Sequence, residues 1–325
     1  MTIWKSFKYR FHQFFTAPIS VVPLGLFRIL IAAFILLQAF IWHSDWDDFF
    51  GQEGWLQWEI TRAFNQGWHL HMETVYNLIG QPLGLNNLQF VEGFFWVYVL
   101  SATGLLLGWF TRFWGFMTWL CHYIMLSSLP VFTYGVDIFL QIALFYLIFF
   151  PSGKIWSLDK YFGRTNALPT WGSTLAIRIL QIHMCLSYFS AGHEKMLYKV
   201  WWSGDVLWRS MIQPDFRMFD PKYLEWPAWY PWIPMLLCWF TMLIETFYFA
   251  GMYTRKVRVF WLLSMIGLHA GIGMFLGLRL FGLIMILLSV SAFGYDAWQD
   301  VVAWYRKRQV KKVAQPQFEE QLAVG

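Results

Sequence analysis

Eight runs of mostly apolar residues divide this 325-residue sequence, and most of them are close to 20 residues long. A helix needs about 20 mostly apolar residues to cross the hydrocarbon core of a bilayer. Backbone amides cannot remain unpaired in lipid, so such runs adopt helical structure there. The sequence therefore predicts about eight transmembrane helices: Ser20–Trp42, Leu88–Phe110, Phe113–Phe132, Val136–Phe150, Ser173–Gly192, Trp232–Met252, Val259–Phe275 and Leu278–Phe293.

The composition also indicates a lipid bilayer as the surroundings of the chain. Charged residues make up only 13% of the chain, whereas an average soluble domain is about one quarter charged. The net charge of +5 does not indicate a nucleic-acid partner, because the basic residues lie mostly in short segments between the apolar runs. The three cysteines lie inside apolar runs without CxxC spacing, so we expect neither disulfides nor a metal site: Cys121, Cys185 and Cys238.

The distribution of Lys and Arg predicts that both termini are cytoplasmic. In that orientation 15 of the 24 basic residues lie in inner segments, 7 lie in outer segments, and Arg28 and Arg178 lie within runs. Basic residues favour the cytoplasmic side, and an even number of spans agrees with this orientation. We therefore expect an all-α, polytopic membrane helix bundle over residues 20–293, flanked by cytoplasmic segments at residues 1–19 and 294–325.

Both flanking segments are predicted to contain amphipathic helices that lie on the membrane surface. The N-terminal segment places aromatic residues on one helical face: Trp4, Phe7, Phe11, Phe14 and Phe15. The C-terminal segment repeats apolar residues at helical spacing before a basic run and a tail that we expect to be disordered: Trp298, Val301, Val302 and Tyr305. The two long outer loops, His43–Asn87 and His193–Pro231, are interpreted either as functional loops or as folded caps.

Ionisable residues inside the runs are site candidates, because a charge in the bilayer centre normally faces a partner or a cavity. The alternative for each is a buried pair that only fixes helix packing. The candidates are Arg28, Glu92, His122, Asp137, Arg178, His183, Glu245 and His269. In the fifth run, spacings of 3 and 4 place six residues on one helical face, provided that the helix continues far enough: Arg178, Gln181, Cys185, Tyr188, Gly192 and Lys195. This stripe is expected to line a cavity or a polar core.

Five ionisable residues from five helices are predicted at a similar depth near the outer surface: Glu92, Asp137, Lys195, His269 and Arg279. Their positions predict a polar site at or just beneath that surface. A lysine that is partly removed from water favours its charged form less, so Lys195 is a candidate base. The alternative is an interfacial lysine whose ammonium group extends towards water.

Four parts of the sequence carry a family pattern. They read PLGLFRILIAAFILL, YGVDIFLQIALFYLIFFPSGKIWSLDKY, RILQIHMCLSYFSAGHEKMLYKVWWSG, and IET before TRKVR followed by LHAGIGMFLGLRLFGLIMI. Their order and spacing, from Pro18 to Phe293, resemble the membrane domain shared by the vitamin K-dependent gamma-carboxylases and their bacterial relatives, the HTTM (horizontally transferred transmembrane) family. The resemblance implies a multi-pass protein of the bacterial inner membrane.

In the carboxylases, a lysine just after Ala-Gly is the base that deprotonates reduced vitamin K. The resemblance implies that Lys195, which follows Ala-Gly closely, matches this lysine. There, oxygen converts the quinol to an epoxide, and the strong base so formed removes a glutamate proton before carbon dioxide adds. His269 matches the late histidine of the pattern, and Asp137 would support these two catalytic groups. The residues predicted to bind the cofactor, a reduced vitamin K-type quinone such as menaquinol, are Arg28, Glu92, Arg178, Gln181, Tyr188 and Glu245.

Two departures from the pattern bear on the substrate. The carboxylases carry a large lumenal domain, whereas this sequence ends about 30 residues after its eighth run, and His193-Glu194 replaces a hydrophobic residue and a second lysine. We therefore do not expect protein glutamate carboxylation to carry over. Three functions stay open: a quinol-oxygenating or carboxylating lyase, a non-catalytic membrane factor for export, maturation or immunity of a secreted peptide or protein, and a transporter. The lack of an internal repeat argues against the transporter.

Overall fold

The structure is a computed structural model that describes residues 3–64, 69–213 and 225–323. Every regular element in these ranges is a helix, which confirms the all-α prediction. The chain folds as two compact units, Met1–Ile179 and Leu180–Gly325. Arg217 and Lys222, two of the basic residues used for the topology prediction, lie outside the described residues.

The first unit contains helices α1 to α9, within the ranges described: α1 (Ile3–Thr16), α2 (Val22–Trp42), α3 (Trp46–Phe50), α4 (Trp58–Phe64), α5 (Met72–Val75), α6 (Asn87–Leu107), α7 (Thr111–Ser128), α8 (Gly135–Phe149) and α9 (Leu158–Tyr161). Helix α10 (Trp171–Met196) begins in the first unit and ends in the second. The second unit continues with α11 (Lys199–Ser203), α12 (Asp205–Ile212), α13 (Trp226–Trp229), α14 (Trp232–Thr246), α15 (Tyr248–Tyr253), α16 (Arg258–Phe275), α17 (Arg279–Ser289) and α18 (Tyr295–Ala323).

Several of these helices suit a membrane. Among the described residues, four helical segments are long and apolar enough to cross one, namely Val22–Phe50, Asn87–Leu107, Arg258–Phe275 and Arg279–Gln309. Two shorter helices, α8 and α14, are also apolar. All eight predicted runs fall on helices. The count of eight spans and the cytoplasmic position of both termini stay predictions.

The sixth predicted run is interrupted, because α14 ends at Thr246 and α15 begins at Tyr248. The indole Nε1 of Trp261 donates to the carbonyl oxygen of Ile244 at 2.9 Å. In an uninterrupted α-helix that carbonyl would accept from the amide of Tyr248. A side chain that enters the backbone ladder in this way is a usual cause of a helix break. The sequence did not predict this break, since it depends on a residue of another helix.

The eighth run and the C-terminal amphipathic segment are continuous. Helix α17 passes through a π-helical turn, Val290–Gly294, directly into α18. Helix α18 extends to Ala323, whereas the sequence predicts a disordered tail of about a dozen residues there. The Ala, Gln, Glu and Leu residues of this stretch have high helix propensity, which is consistent with the helical backbone.

Arg28 on α2 is fully buried and connects the end of α6 to the segment that follows α8 in the first unit. Its guanidinium donates to five backbone carbonyl oxygens, those of Leu105, Leu106, Ser152, Ile155 and Trp156. The last carbonyls of a helix lack partners within that helix, and Arg28 provides donors for two of them at the end of α6.

Gly108 makes this arrangement possible. It ends α6 in a left-handed conformation with φ of 67°, and a Cβ atom there would lie 2.9 Å from the Cζ atom of Arg28. A residue with a side chain would be disfavoured by both the backbone conformation and the guanidinium. The glycine therefore allows Arg28 to reach the carbonyls of α6.

Asp159 on α9 anchors the turn between α6 and α7. Its carboxylate accepts from the backbone amides of Phe110 and Thr111, both at 2.9 Å, and from the Thr111 hydroxyl at 2.7 Å. Arg164 also donates to it at 3.4 Å. Burial alone would raise the pKa of Asp159, but these hydrogen bonds outweigh burial and hold the pKa below its ordinary value.

The described residues of the segment His43–Asn87, predicted to be an outer loop, pack against the first unit. Trp46 is buried, and its indole nitrogen donates to the Val91 carbonyl at 3.0 Å. The Thr61 hydroxyl of α4 donates to the Ser128 carbonyl at 3.0 Å. These contacts attach the segment to the start of α6 and the end of α7.

The N-terminal segment is helical, as predicted, and its aromatic face is exposed. Trp4, Phe7 and Phe11 are 64%, 57% and 58% exposed, and their rings stack along α1. Arg178 attaches the other end of α1, because its Nε atom donates to the Phe14 carbonyl at 3.1 Å and its guanidinium lies over the Phe14 ring. An exposed aromatic ridge of this kind suits a helix in the membrane interface.

Replacing Arg28 by Leu is expected to destabilise the protein by about 3 kcal/mol, because buried carbonyls lose their donors. The free energy of unfolding, measured by denaturant titration and circular dichroism, checks this. Arg10→Leu, at an exposed position of α1, is the control and is expected to change little. An equal loss in both variants would contradict the role assigned to Arg28.

Asp159 predicts an acid-sensitive contribution to stability. Its pKa is lowered in the folded protein, so the contribution is complete above the pKa of a free aspartate, about 3.9, and is lost as the pH falls through the lower folded value. Unfolding measured at decreasing pH should show this loss in the wild type and not in Asp159→Asn. Asp205→Asn, at an exposed position, should keep the wild-type pH profile.

Candidate functional site

Helix α10 provides the polar stripe that the sequence predicts. The helix continues to Met196, so Lys195 lies on it as the prediction required. Every member of the stripe is at least partly buried: Arg178, Gln181, Cys185, Tyr188, Gly192 and Lys195. This face of the helix is therefore directed into the protein along its length.

Lys195 forms an ion pair with Glu245 of α14. The Nζ atom lies 2.6 Å from Oε2 of Glu245, and the two side chains are 21% and 5% exposed. The same ammonium group lies 5.2 Å from the centroid of the Trp201 ring, which provides a cation–π contact. Glu245 is thus a buried carboxylate, and its charge is compensated by a lysine that is partly exposed at the protein surface.

Gly192 brings α10 close enough to α14 for this pair to form. A Cβ atom at Gly192 would lie 2.5 Å from Thr246 Oγ1 and 2.6 Å from the Thr246 amide nitrogen. A larger residue here would separate the two helices at the level of the pair. The glycine lies one turn before Lys195, and Thr246 follows Glu245 directly.

A second group of hydrogen-bonded residues lies further along the same face of α10. The Tyr188 hydroxyl is 2.9 Å from His269 Nε2 on α16 and 3.1 Å from the Ser289 hydroxyl at the end of α17. All three residues are buried, and the ring of Tyr188 also packs against the tilted ring of Tyr248 with centroids 4.4 Å apart. Hydroxyl and imidazole groups arranged in this way can pass a proton from one to the next.

The two groups are connected through Tyr248. Its ring contacts the ring of Tyr188, and it follows Glu245 by three residues across the helix break. We call Lys195, Glu245, Tyr188, His269 and Ser289 the α10 cluster.

His269 also lines an open cavity of about 420 Å³ between α16 and α17. The other lining residues are mostly small or apolar, with Arg279 as the cationic one: Ala270, Gly273, Met274, Arg279, Gly282, Leu283 and Ile286. The Nδ1 atom of His269 is buried and has no hydrogen-bond partner among the described residues. His269 is the member of the α10 cluster that lines this cavity, and through it the cavity borders the cluster.

A second groove of about 440 Å³ lies between α12, α14 and α16. Its walls are almost entirely apolar, and they include Leu237, Phe240 and Phe275. The glycines of α16 that border it, Gly267 and Gly271, have open space where a Cβ atom would stand. The groove has the size and polarity of a site for a lipophilic molecule.

The predicted site residues of the first unit have other neighbours. Glu92 is 48% exposed on the side chain and accepts from the Trp96 indole at 2.7 Å. Asp137 is buried at the start of α8, where Oδ2 accepts from the Tyr134 amide at 3.1 Å. Arg28 and Arg178 contact backbone carbonyls in the same unit. The predicted roles of these four residues in catalysis or cofactor binding stay predictions.

Asp137 also belongs to a set of buried polar groups in the first unit. Gln38 lies close enough to interact with the carboxyl group of Asp137. The charge of Asp137 in turn acts on Tyr98. His122 is fully buried and pairs with Gln141 at 2.7 Å. Asp137 Oδ1, the Tyr98 hydroxyl and His122 Nε2 lack hydrogen-bond partners among the described residues. Buried polar atoms of this kind are normally satisfied by ordered water.

In the second unit, Gln181 contacts the π turn. Its Nε2 atom donates to the Ala292 carbonyl at 2.8 Å and to Asp296 at 3.2 Å. π turns depart from the regular helical hydrogen-bond pattern and are frequent at functional sites. Gln181 therefore acts first as a partner for the backbone of this turn, and its predicted role in cofactor binding stays a prediction.

The sequence did not predict three residues that contact Lys195 or Tyr188. Ser289, Tyr248 and Trp201 carry no motif that distinguishes them from the many Ser, Tyr and Trp residues of the chain. The spacing of Tyr248 from Glu245 was the one available signal. In the part of the chain that the structure describes, no three His, Cys, Asp or Glu side chains form a group suited to a metal ion.

Comparison with known proteins gave no match: no family model, no curated protein and no solved structure is similar to this chain. The resemblance described above therefore depends on its motifs alone.

Lys195→Met is expected to destabilise the protein by about 2 kcal/mol, less than for a fully buried pair because Lys195 is 21% exposed. The reason is that the Glu245 carboxylate loses its compensating charge. The double variant Lys195→Met/Glu245→Leu should recover most of the loss, since it leaves no unpaired charge. Unfolding of both variants by denaturant checks this, and a double variant as unstable as the single one would contradict it.

Proposed function

We propose that this chain is an integral membrane enzyme that acts on a lipid-soluble quinol, with Lys195 as the base. The observation that supports this best is the 2.6 Å contact between Lys195 Nζ and the buried Glu245 carboxylate, beside the Tyr188–His269 hydrogen bond. A base, a carboxylate that can exchange a proton with it and an imidazole in one apolar unit suit proton abstraction from a weakly acidic hydroxyl.

The ion pair gives Lys195 a way to become neutral. When a proton passes from Nζ to Oε2, the ammonium and the carboxylate both lose their charge. Surroundings of low polarity favour the neutral pair more than water does, because they solvate charges poorly. The neutral amine can then accept a proton from a substrate hydroxyl, with Glu245 holding the first proton.

Tyr188, which lies seven residues or about two helical turns before Lys195 on α10, supports the same chemistry together with His269. His269 keeps its imidazole oriented through the Tyr188 hydroxyl, and Ser289 orients Tyr188 in turn. The Nδ1 atom of His269 is buried and has no hydrogen-bond partner among the described residues, so a polar atom of a molecule that reached it from the cavity would satisfy it. A histidine at this position can therefore stabilise an oxygen that becomes negative as its proton leaves.

The cavity at His269 fits a quinol ring. Its volume of about 420 Å³ lies within the usual range of ligand sites, and its apolar walls match an aromatic ring and an isoprenoid tail. Arg279 adds a cation that can interact with a quinol oxygen. A quinol of the vitamin K class supplies two electrons for the reduction of oxygen.

The HTTM resemblance supports the same assignment independently of the geometry. Its motifs match the carboxylase base at Lys195 and the late histidine at His269, and these two residues belong to the α10 cluster. On this proposal the chain crosses the bacterial inner membrane eight times with both termini in the cytoplasm, and the cluster faces the outer side.

The test is quinol oxidation by the reconstituted full-length protein. Reduced menaquinone and oxygen are expected to yield the quinone epoxide and water, with the epoxide detected by mass spectrometry. Lys195→Arg is the informative variant, because arginine can keep the ion pair with Glu245 but does not release its proton. We expect epoxide formation to fall at least 100-fold in Lys195→Arg, as typical for loss of a general base.

Lys199→Arg is the matched control, since Lys199 is exposed on α11 and lies four residues from Lys195. It should retain wild-type activity. If the folded wild type forms no epoxide from any of several quinols, or if Lys195→Arg is as active as the wild type, the proposal is wrong. The non-catalytic role in maturation of a secreted product would then become the favoured function.

A further inference from the structure

A cavity of about 570 Å³ lies at the inner end of the first unit, apart from the α10 cluster. The start of α7, the end of α8 and the segment around α9 form its walls. It is lined by Phe110, Thr111, Arg112, Phe113, Phe150, Pro151, Gly153, Lys154, Asp159, Arg164 and Thr165. The predicted topology places all of these segments on the cytoplasmic side.

The cavity is positively charged. Arg112, Lys154 and Arg164 contribute three cations, and Asp159 contributes the one carboxylate among its lining residues. That carboxylate already accepts two backbone amides, the Thr111 hydroxyl and Arg164. Asp159 therefore has little remaining capacity to neutralise the other cations, and the cavity retains an excess of positive charge.

The start of α7 borders the cavity. A helix N-terminus carries partial positive charge and attracts anions, and here the Asp159 carboxylate already accepts the amides of Phe110 and Thr111. A further anion in the cavity would therefore be bound by the cationic side chains and not by these amides. Arg112 projects from the first turn of the same helix and is exposed.

Exposed aromatic residues surround the charged cavity. Phe113, Trp156, Phe162 and Phe149 are each between 54% and 61% exposed. Aromatic side chains favour the boundary between the acyl chains and the headgroups of a bilayer. On the predicted topology, a charged cavity beside these residues would lie at the depth of the lipid phosphates, where a ligand could approach from the membrane.

We infer that this cavity binds a phosphate group, carried by an anionic phospholipid of the inner leaflet or by a free phosphate ester. The three cations bind the phosphate oxygens, and the exposed aromatic residues contact the acyl chains in the lipid case. Basic cavities between transmembrane helices on the cytoplasmic side bind anionic headgroups in this way. The inference does not depend on the proposed enzymatic activity.

The experiment is native mass spectrometry of the full-length protein in detergent, titrated with dioleoyl phosphatidylglycerol or with dioleoyl phosphatidylcholine. We expect tighter binding of phosphatidylglycerol, and about fivefold weaker binding for each cation removed, first in Arg112→Gln and then in Arg112→Gln/Lys154→Gln. Lys160→Gln is the matched control, because Lys160 is exposed on α9 but does not line the cavity.

Three results decide the inference and its source. Loss of lipid binding in the Arg112 variants alone, with unchanged melting temperatures, supports a phospholipid site. Displacement of the lipid by millimolar inorganic phosphate or glycerol 3-phosphate, with the same dependence on Arg112, supports a phosphate site open to the cytoplasm. Equal binding of the two lipids, or an equal loss in Lys160→Gln, would overturn the inference.

Discussion

Lipid offers no hydrogen bonds, so every backbone group that leaves the regular helical pattern must find a partner inside the protein. This constraint explains the best-defined contacts of the structure. Arg28 provides donors for the last carbonyls of α6, and Asp159 accepts the first amides of α7. Trp261 donates to the carbonyl at the break after α14, and Gln181 donates to the π turn. Each irregularity is matched by a side chain from elsewhere in the same unit.

These hydrogen bonds also show what the motifs that carry the HTTM resemblance do in this chain. The Phe-Arg pair, the Pro-Ser-Gly segment and the Ser-Leu-Asp segment meet in the first unit around Arg28 and Asp159, where they fix helix ends. The Ala-Gly-x-x-Lys segment and the late histidine lie in the second unit, in the α10 cluster. The motifs thus divide into a set that holds the scaffold and a set that presents ionisable groups.

Much of the helical fold was predictable from the sequence, because apolar runs of the right length report directly on helices. The face of α10 was predictable as well, since spacings of 3 and 4 define it. The pairing of Lys195 with Glu245 was not, because the order in which helices pack is not encoded in local periodicity. For the same reason the sequence did not show which neighbours Asp137 has in the first unit, where the Tyr134 amide donates to its carboxylate. The helix break after α14 depends on Trp261, and no pattern within that run indicates it.

The π turn between α17 and α18 has a consequence for the register of the cluster. One residue corresponds to about 100° of rotation in an α-helix. If deletion of one residue restored regular α geometry in this turn, α17 would rotate about its axis by about 100° relative to α18. Ser289 would then point away from Tyr188, and the Ala292 carbonyl would leave Gln181. The single extra residue thus sets the rotation of α17 about its axis relative to α18.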